Sequence, residues 1–475
     1  MLSVVKSRFF DKLQFISSTE PERRKLWLII IVSVAVLLRL VMVFYLGDEV
    51  AVLPGTTDQV SYDMLARRVI AGHGFTVAEA WWPATPAGEP TAHWSYFYTL
   101  YLVAIYGLVG YHPLVARLLQ AVLAGVLMPW LVYRLGQRHF NDRPGVGLVA
   151  AGFMAVYLYF VYYAAALMTE TFYIMGVLWT LDLAGQLAHP QAESSGPPSG
   201  VQWLLLGLSL GVTVLLRQVF LLFVPFLFAW LLWRSYRYQP RSLVQTIGTL
   251  VGATAVVVLL IVPWTIRNYR AFDTFVLLNT NAGFAFFWGN HPVHGYDFIS
   301  ILPTDGPSYQ SLIPDELRGL NEADLDRTLL KRGLGFIQAD IGRYLILSIS
   351  RVGDYFRFWP SSESGLISNL SRVLSFGILW PFMAYGFIYH LRRSFSSKAL
   401  ILYLFMVVYT GVHLLTWTLI RYRLPVDAIL LVFAGIAVIE LHEKLTRRYP
   451  KIQSILGHLY KTACITLSKK FTYNR

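Results

Sequence analysis

The sequence predicts an all-α integral membrane protein with about ten transmembrane helices, interfacial helices in its first outer loop and a small extracytoplasmic region. Three observations carry this. The 475 residues are 56% hydrophobic and 14% charged, with a mean hydropathy of +0.51, more apolar side chain than a soluble domain can bury. Several uncharged runs approach the roughly 20 residues that cross a bilayer at about 1.5 Å per residue, and the alternation of an outer-membrane barrel is absent. The Lys and Arg excess behind the formal net charge of +13 sits beside these runs. That is the positive-inside pattern, not a nucleic-acid footprint.

In chain order, residues 1–25 form a basic cytoplasmic segment, too long and polar before the first apolar run to be a cleaved signal. The first span is 26–46, so 47–94 face outward. The run SYFYTLYLVAIYGLVGYH, 95–112, is short, lacks flanking Lys or Arg and ends at His-Pro. Read as a span, it inverts every later basic loop. Read as an interfacial helix, it leaves spans at 114–136, 145–167, 170–188, 201–217, 219–234 and 244–266. The basic loops 134–143, 234–241 and 391–398 and the tail 443–475 then all lie inside. We adopt the second reading. HPQAESSGPPSG, 189–200, is an inner loop. Residues 267–371 form an outer region with a helix near 322–335. Spans at 373–390, 399–419 and 424–442 complete the 372–442 segment. No internal repeat of the transporter kind stands out.

The first outer loop carries GTTDQVSYDMLARRVIAGHGF, 55–75. An interfacial helix over 57–72 places Asp58, Tyr62, Leu65, Ala66 and Val69 on one face, with Thr56 and Thr57 as candidate N-caps and Gly72-His73-Gly74 as its end. Alone, Asp58 reads more readily as a cap or a partner of the helix dipole than as a catalytic group. Under the adopted topology it has company at the outer boundary: Arg117, Glu170, Arg217, Arg267, Arg421 and Arg423. Each singly is as well read as an ion pair or a snorkelling arginine. Together, guanidinium groups from separate spans suit a lipid phosphate, and a carboxylate beside them suits general-base work on a hydroxyl. A transferase outside the cytoplasm has no nucleotide-sugar pool. Its donor would ride on a lipid carrier, with phosphate as the leaving group.

The single Cys464 excludes internal disulfides and Cys-based metal sites. No HExxH, CxxC, P-loop or GxGxxG motif stands out. His291, His294 and Asp297 in GNHPVHGYD offer a metal reading, weighed against ordinary loop histidines; no cofactor is expected and a divalent metal is not favoured. Trp81-Trp82, Tyr96-Phe97-Tyr98 and the run 284–288 suit either sugar stacking or an interfacial belt.

Five stretches resemble one family: TTDQVSYDMLARRVIAGHGFT, VARLLQAVLAGVLMPWLVYRLGQRHF, LMTETFYIMGVLW, PWTIRNYRAFDTFVLLNTNAGFAFFWGN and RYRLPVDAILL. The chain resembles the GT-C class of polyprenyl-phosphate-sugar-dependent glycosyltransferases, in the protein O-mannosyltransferase and ArnT-like superfamily, over about residues 26–442. The resemblance implies a GT-C fold. It implies Asp58 as general base and Glu170 as an acidic active-site position. Arg117, Arg217, Arg267 and Arg423 match donor-phosphate positions, and Tyr62, His93 and Asn290 line the substrate. It further implies an inverting transfer from a polyprenyl-phosphate-linked (undecaprenyl-phosphate-type) sugar to a hydroxyl of a glycan, lipid or protein. The enzyme would be multi-pass in the inner membrane, embedded in the lipid bilayer, its active site facing the periplasm, with no nucleic-acid partner. Two departures bear on the acceptor. Asp58-Gln59 stands where the family often has Asp-Glu, and HWSYFYTL stands where it often has a Pro-rich lead into the interfacial helix. An O-antigen ligase or polymerase, and a lipid flippase or transporter, are the rival readings.

Overall fold

The computed structural model describes residues 21–448 apart from 54, 81–84, 189–199, 239–242, 301, 303–305, 362–363 and 394. Residues 1–20 of the basic segment, Trp81 and Trp82, the inner loop up to Ser199 and the tail beyond Arg448 lie outside the described residues. Among the described residues the regular structure is helical, with one isolated bridge between Thr76 and Pro90.

The chain opens with α1 (Pro21–Leu46), then α2 (Asp58–Ile70) and α3 (Tyr96–Val109) in the first loop. Next come α4 (Pro113–His139), α5 (Gly145–Val156), α6 (Leu158–Ala165), α7 (Glu170–Ala188) and α8 (Gly200–Leu216). After them follow α9 (Val224–Tyr238), α10 (Leu243–Phe272), α11 (Ala282–Asn290), α12 (Glu322–Ala339) and α13 (Ile341–Tyr355). The series ends with α14 (Leu366–Arg372), α15 (Ile378–Arg393), α16 (Leu400–Leu415) and α17 (Leu424–Arg448). The helix starts follow local chemistry. Pro113 opens α4 at a position where its missing N–H costs nothing. Ser95, Asn321 and Asp340 cap α3, α12 and α13 by accepting from Tyr98, Asp324 and Arg343 backbone N–H groups.

This is a multi-pass membrane protein. Among the described residues six helical stretches are long and apolar enough to cross a membrane, and seven if the bent pair α5–α6 counts as one span. Of the ten expected spans, α8 and α16 are apolar but only 17 and 16 residues long, and α7 carries Glu170 and Asp182 within its 19 residues. The stretch Ile420–Arg448 is 83% buried over its apolar window, against 22% for α1 and for α10. So α17 is the central column, and α1 and α10 turn most of their surface to lipid. Close approach to α17 depends on a missing side chain at Gly386 of α15. A Cβ there would lie 1.8 Å from the Phe433 carbonyl oxygen.

The expected single span 145–167 is corrected to two helices bent by 55°, with Tyr157 extended at the break. Breaking a helix inside a membrane frees carbonyls that no water can satisfy. Arg39 of α1, fully buried, supplies the donors: Nη1 to Ala155 O at 3.2 Å and Nη2 to Met154 O at 3.3 Å. A cation at the C-terminus of α5 also suits that end's negative dipole.

One end of the bundle carries the loop structure. There α2 and α3 are tied through the buried Asp63, which accepts from Tyr106 and Tyr111 hydroxyls at 2.9 and 3.3 Å and pairs with Arg67 at 3.0 Å. Residues 282–339 add a small apolar core built on Phe284, Phe287, Trp288, Ile313, Leu325 and Leu329. Gly283 lets α11 lie directly on α12, since a Cβ would come 1.8 Å from the Asp326 carbonyl oxygen. The predicted helix near 322–335 is α12, extended to Ala339.

Candidate active site

A cavity of about 2850 Å³ lies between α2, the 93–95 turn, the start of α7, the 216–222 segment, α11 and the turn before α17. A pocket for one small molecule is roughly 300–1,000 Å³, so this one has room for two reactants.

Three charged side chains on its wall, Asp58, Arg217 and Arg421, come from separate parts of the chain and meet on the buried Glu170, which is not part of the lining. Gly55, at φ +74°, turns the chain into α2, and Asp58 is that helix's first residue. Thr57 has helical backbone angles and makes no side-chain cap, so the expected capping role is not made there. Arg421 stands on the 3-10 turn Ile420–Arg423. Its Nη2 lies 2.8 Å from Asp58 Oδ2 and its Nη1 donates to Gly55 O at 3.3 Å. Its Nε lies 3.7 Å from Glu170 Oε1. Glu170, the first residue of α7 and 2% exposed, takes Arg217 Nη2 on the same oxygen at 2.5 Å. Arg217 also donates from Nε to Thr169 Oγ1 at 3.1 Å and lies 5.5 Å over the rings of both Tyr173 and Tyr422.

The result is an alternating chain, Asp58–Arg421–Glu170–Arg217, whose formal charges cancel. Two of its atoms, Glu170 Oε2 and Arg421 Nε, are buried without a hydrogen-bond partner. Orphaned buried polar atoms cost free energy unless a ligand or water completes them.

Tyr62, one turn after Asp58, and His93 also line the cavity. Burial, then the Asp58 charge, raises the Tyr62 phenol's pKa, so it stays a neutral hydroxyl. Burial lowers the His93 pKa. Its Nδ1 lies 3.2 Å from Thr280 O, and its ring meets Trp94 and Phe284 edge-on. Neutral imidazole donating from Nδ1 keeps Nε2 as an acceptor.

The structure thus gathers Asp58, Glu170, Arg217, Tyr62 and His93. It does not bring Arg117, Arg267, Arg423 or Asn290 to the cavity wall. Each of these is held by protein atoms instead. Arg117 is fully buried and donates to Gly47 O, Glu49 O, Ala165 O and Gln59 Oε1. Arg267 donates to Thr91 O at 3.0 Å and Phe75 O at 2.7 Å, with its guanidinium 4.7 Å over Trp264. Arg423 pairs with Asp427 at 2.8 Å and donates to Tyr355 O at 2.6 Å. Asn290 is fully buried, accepting from Arg351 and donating to Phe286 O, both at 2.9 Å. Loops that leave the helices expose carbonyls, and long arginines beside them are their nearest donors. The partner that the site does use, Arg421, carried a signal in the sequence: it shares the IRYRLP motif with Arg423.

Among the described residues no group of three or more His, Cys, Asp or Glu side chains is placed to hold a metal. His294 lies with Nε2 2.7 Å from Trp288 O and accepts from Ile299 N–H on Nδ1, and His291 accepts from Val293 N–H. Both histidines are engaged locally. Of the run 284–288, Phe284, Phe287 and Trp288 are buried core.

Residues 96–266 match the protein family described as dolichyl-phosphate-mannose-protein mannosyltransferase. Among solved structures, the archaeal oligosaccharyltransferase AglB from Archaeoglobus fulgidus, in complex with an inhibitory peptide and a dolichol-phosphate, aligns with a TM-score of 0.54. The identity is 16%, over 94% of this chain and 54% of that one. The Archaeoglobus fulgidus oligosaccharyltransferase in complex with Zn and sulfate gives a TM-score of 0.52 at 17% identity, over 90% and 51%. ArnT from Cupriavidus metallidurans bound to undecaprenyl phosphate gives 0.45 at 14% identity, over 92% and 64%. No curated protein matches the chain. The chain spans about half the length of the oligosaccharyltransferase structures, and at these identities the likeness is one of fold.

Proposed function

We propose that the chain is a membrane glycosyltransferase of the GT-C superfamily that moves a sugar from a polyprenyl-phosphate donor to a hydroxyl acceptor, a reading supported by the family match over 96–266 and by the fold likeness. The site faces the extracytoplasmic side of the inner membrane. The observation that carries the reading is the alternating charge chain in a cavity sized for two reactants. The fold neighbour described with a dolichol-phosphate supports a lipid-linked donor.

In this reading Asp58 accepts the proton of the acceptor hydroxyl as its oxygen attacks the anomeric carbon. The bond from that carbon to the phosphate oxygen breaks with its electron pair on the phosphate. Attack from the opposite face inverts the configuration. Arg421 and Arg217 face the growing phosphate charge, and preorganised cations in a partly dry site stabilise it strongly. Glu170 does not touch the substrate. It is a positioning residue that holds both guanidiniums on one oxygen. Tyr62 offers a neutral hydroxyl and His93 an acceptor nitrogen to sugar hydroxyls.

The test is release of polyprenyl phosphate from a polyprenyl-phosphate sugar by the purified full chain. Asp58→Asn is expected to lower turnover at least about 100-fold, the scale of a lost general base, without loss of donor binding. Near wild-type turnover in Asp58→Asn would end the base assignment.

A further inference from the structure

The Asp58–Arg421 contact conflicts with the work just assigned to both residues. A base works best with both oxygens clear of a neighbouring cation, yet Asp58 Oδ2 is held at 2.8 Å by Arg421 Nη2, which leaves Oδ1 to meet the acceptor. A phosphate ligand must present free donors, yet that guanidinium is turned onto Asp58. We infer that the donor phosphate and Asp58 compete for Arg421, so that the donor must bind first and its phosphate frees Asp58 for the acceptor. This rests on the transferase reading above and adds an order of binding to it.

Three features of the site carry it. Arg217 is firmly seated by Glu170, Thr169 and two tyrosine rings. Arg421 is held less closely: apart from Asp58, its contacts are Gly55 O at 3.3 Å, Glu170 at 3.7 Å and the Tyr422 ring at 5.5 Å. Its Nε is buried without an acceptor, so its present pose leaves a donor unused that a phosphate oxygen would fill. Finally, Asp58 and Arg421 both line the cavity, where an incoming anion reaches the pair. When the anion arrives, Arg421 turns to it, Glu170 keeps the other side of the guanidinium, and Asp58 is left as the uncompensated acid. The acceptor hydroxyl then meets a carboxylate with both oxygens free. Without the donor, one oxygen of the same carboxylate stays held by the guanidinium.

The experiment is a double-mutant cycle on the affinity of the full-length protein, in detergent, for farnesyl phosphate as a soluble polyprenyl phosphate. Arg421→Gln is expected to weaken binding by at least about tenfold, the scale of a lost charge-assisted hydrogen bond. Asp58→Asn removes the competitor and is expected to bind about fivefold tighter than wild type. In the Arg421→Gln background, the added Asp58→Asn change is expected to give no gain. An equal gain in both backgrounds means simple charge repulsion and overturns the competition, as does no gain in either. If Arg421→Gln binds as wild type does while Arg421→Lys also matches wild type, the donor-phosphate reading itself falls. Each variant is compared at wild-type thermal midpoint and monodispersity; a destabilised Arg421→Gln is replaced by the neutral Arg421→Met in the cycle.

Discussion

Arg423→Met separates a structural arginine from a phosphate-binding one. Arg423 and Asp427 are both fully buried, one turn apart on the column of the bundle, with Nε 2.8 Å from Oδ1. The Tyr157 hydroxyl donates to the other Asp427 oxygen at 2.7 Å, and the guanidinium lies 3.6 Å over Phe376. With charge centres about 4 Å apart and an effective dielectric near 20, the attraction is about 4 kcal/mol, partly offset by desolvation. Removing only the cation leaves a bare buried carboxylate, which costs about 3–5 kcal/mol. The double variant Arg423→Met/Asp427→Asn removes that charge and keeps an acceptor for Tyr157. Its residual cost is mainly the unpaired Tyr355 carbonyl, about 1–3 kcal/mol. The double variant is therefore expected to be more stable than the single one by about 2 kcal/mol. Denaturant titration of purified protein in one detergent measures this, and farnesyl phosphate binding of the folded fraction is expected to stay at wild type. A single variant of wild-type stability refutes the reasoning. So does one that is stable but no longer binds the phosphate.

Two further outcomes are expected. Gly283→Ala pushes a methyl into the Asp326 backbone, so α11 must part from α12; hydrogen exchange over 282–339 is expected to rise, with turnover falling because Phe284 belongs to the cavity wall. Asp326, outside the spans, accepts from Phe284 N–H at 3.0 Å, and burial raises its pKa to about 7. The folded state therefore holds a proton that the unfolded chain releases near 3.8. Its contribution to stability is full below that value and is lost as pH rises through about 7. Asp326→Asn, which keeps the acceptor, is expected to flatten the fall in thermal midpoint between about pH 4 and 7; an unchanged slope would refute it.

The bulk of the fold is legible because a bilayer demands long apolar helices and sorts their flanking charges. The loop helix carrying Asp58 is equally plain: its expected 57–72 range meets the observed Asp58–Ile70 because glycines bracket it. What escaped has identifiable causes. The break at Tyr157 has no proline to announce it; it depends on Arg39, more than a hundred residues away. Arg421 and Arg423 are two steps apart on a 3-10 turn, which advances about 120° per residue, so the two guanidiniums leave in different directions. Nothing in RYRLP says which faces the cavity. Arg117 and Arg267 were visible as boundary cations, but their acceptors are backbone carbonyls of loops, and a sequence does not show which carbonyls a loop leaves open.

The pairing of Asp58 with Arg421 also bears on biogenesis. A ribosome makes Asp58 early and Arg421 only as it begins the final helix. Throughout that interval the nascent protein carries its acid at the membrane surface without the cation that restrains it. The pair is thus completed only when the segment carrying Arg421 is inserted, and a chain cut short before residue 420 retains the acid but not its cation.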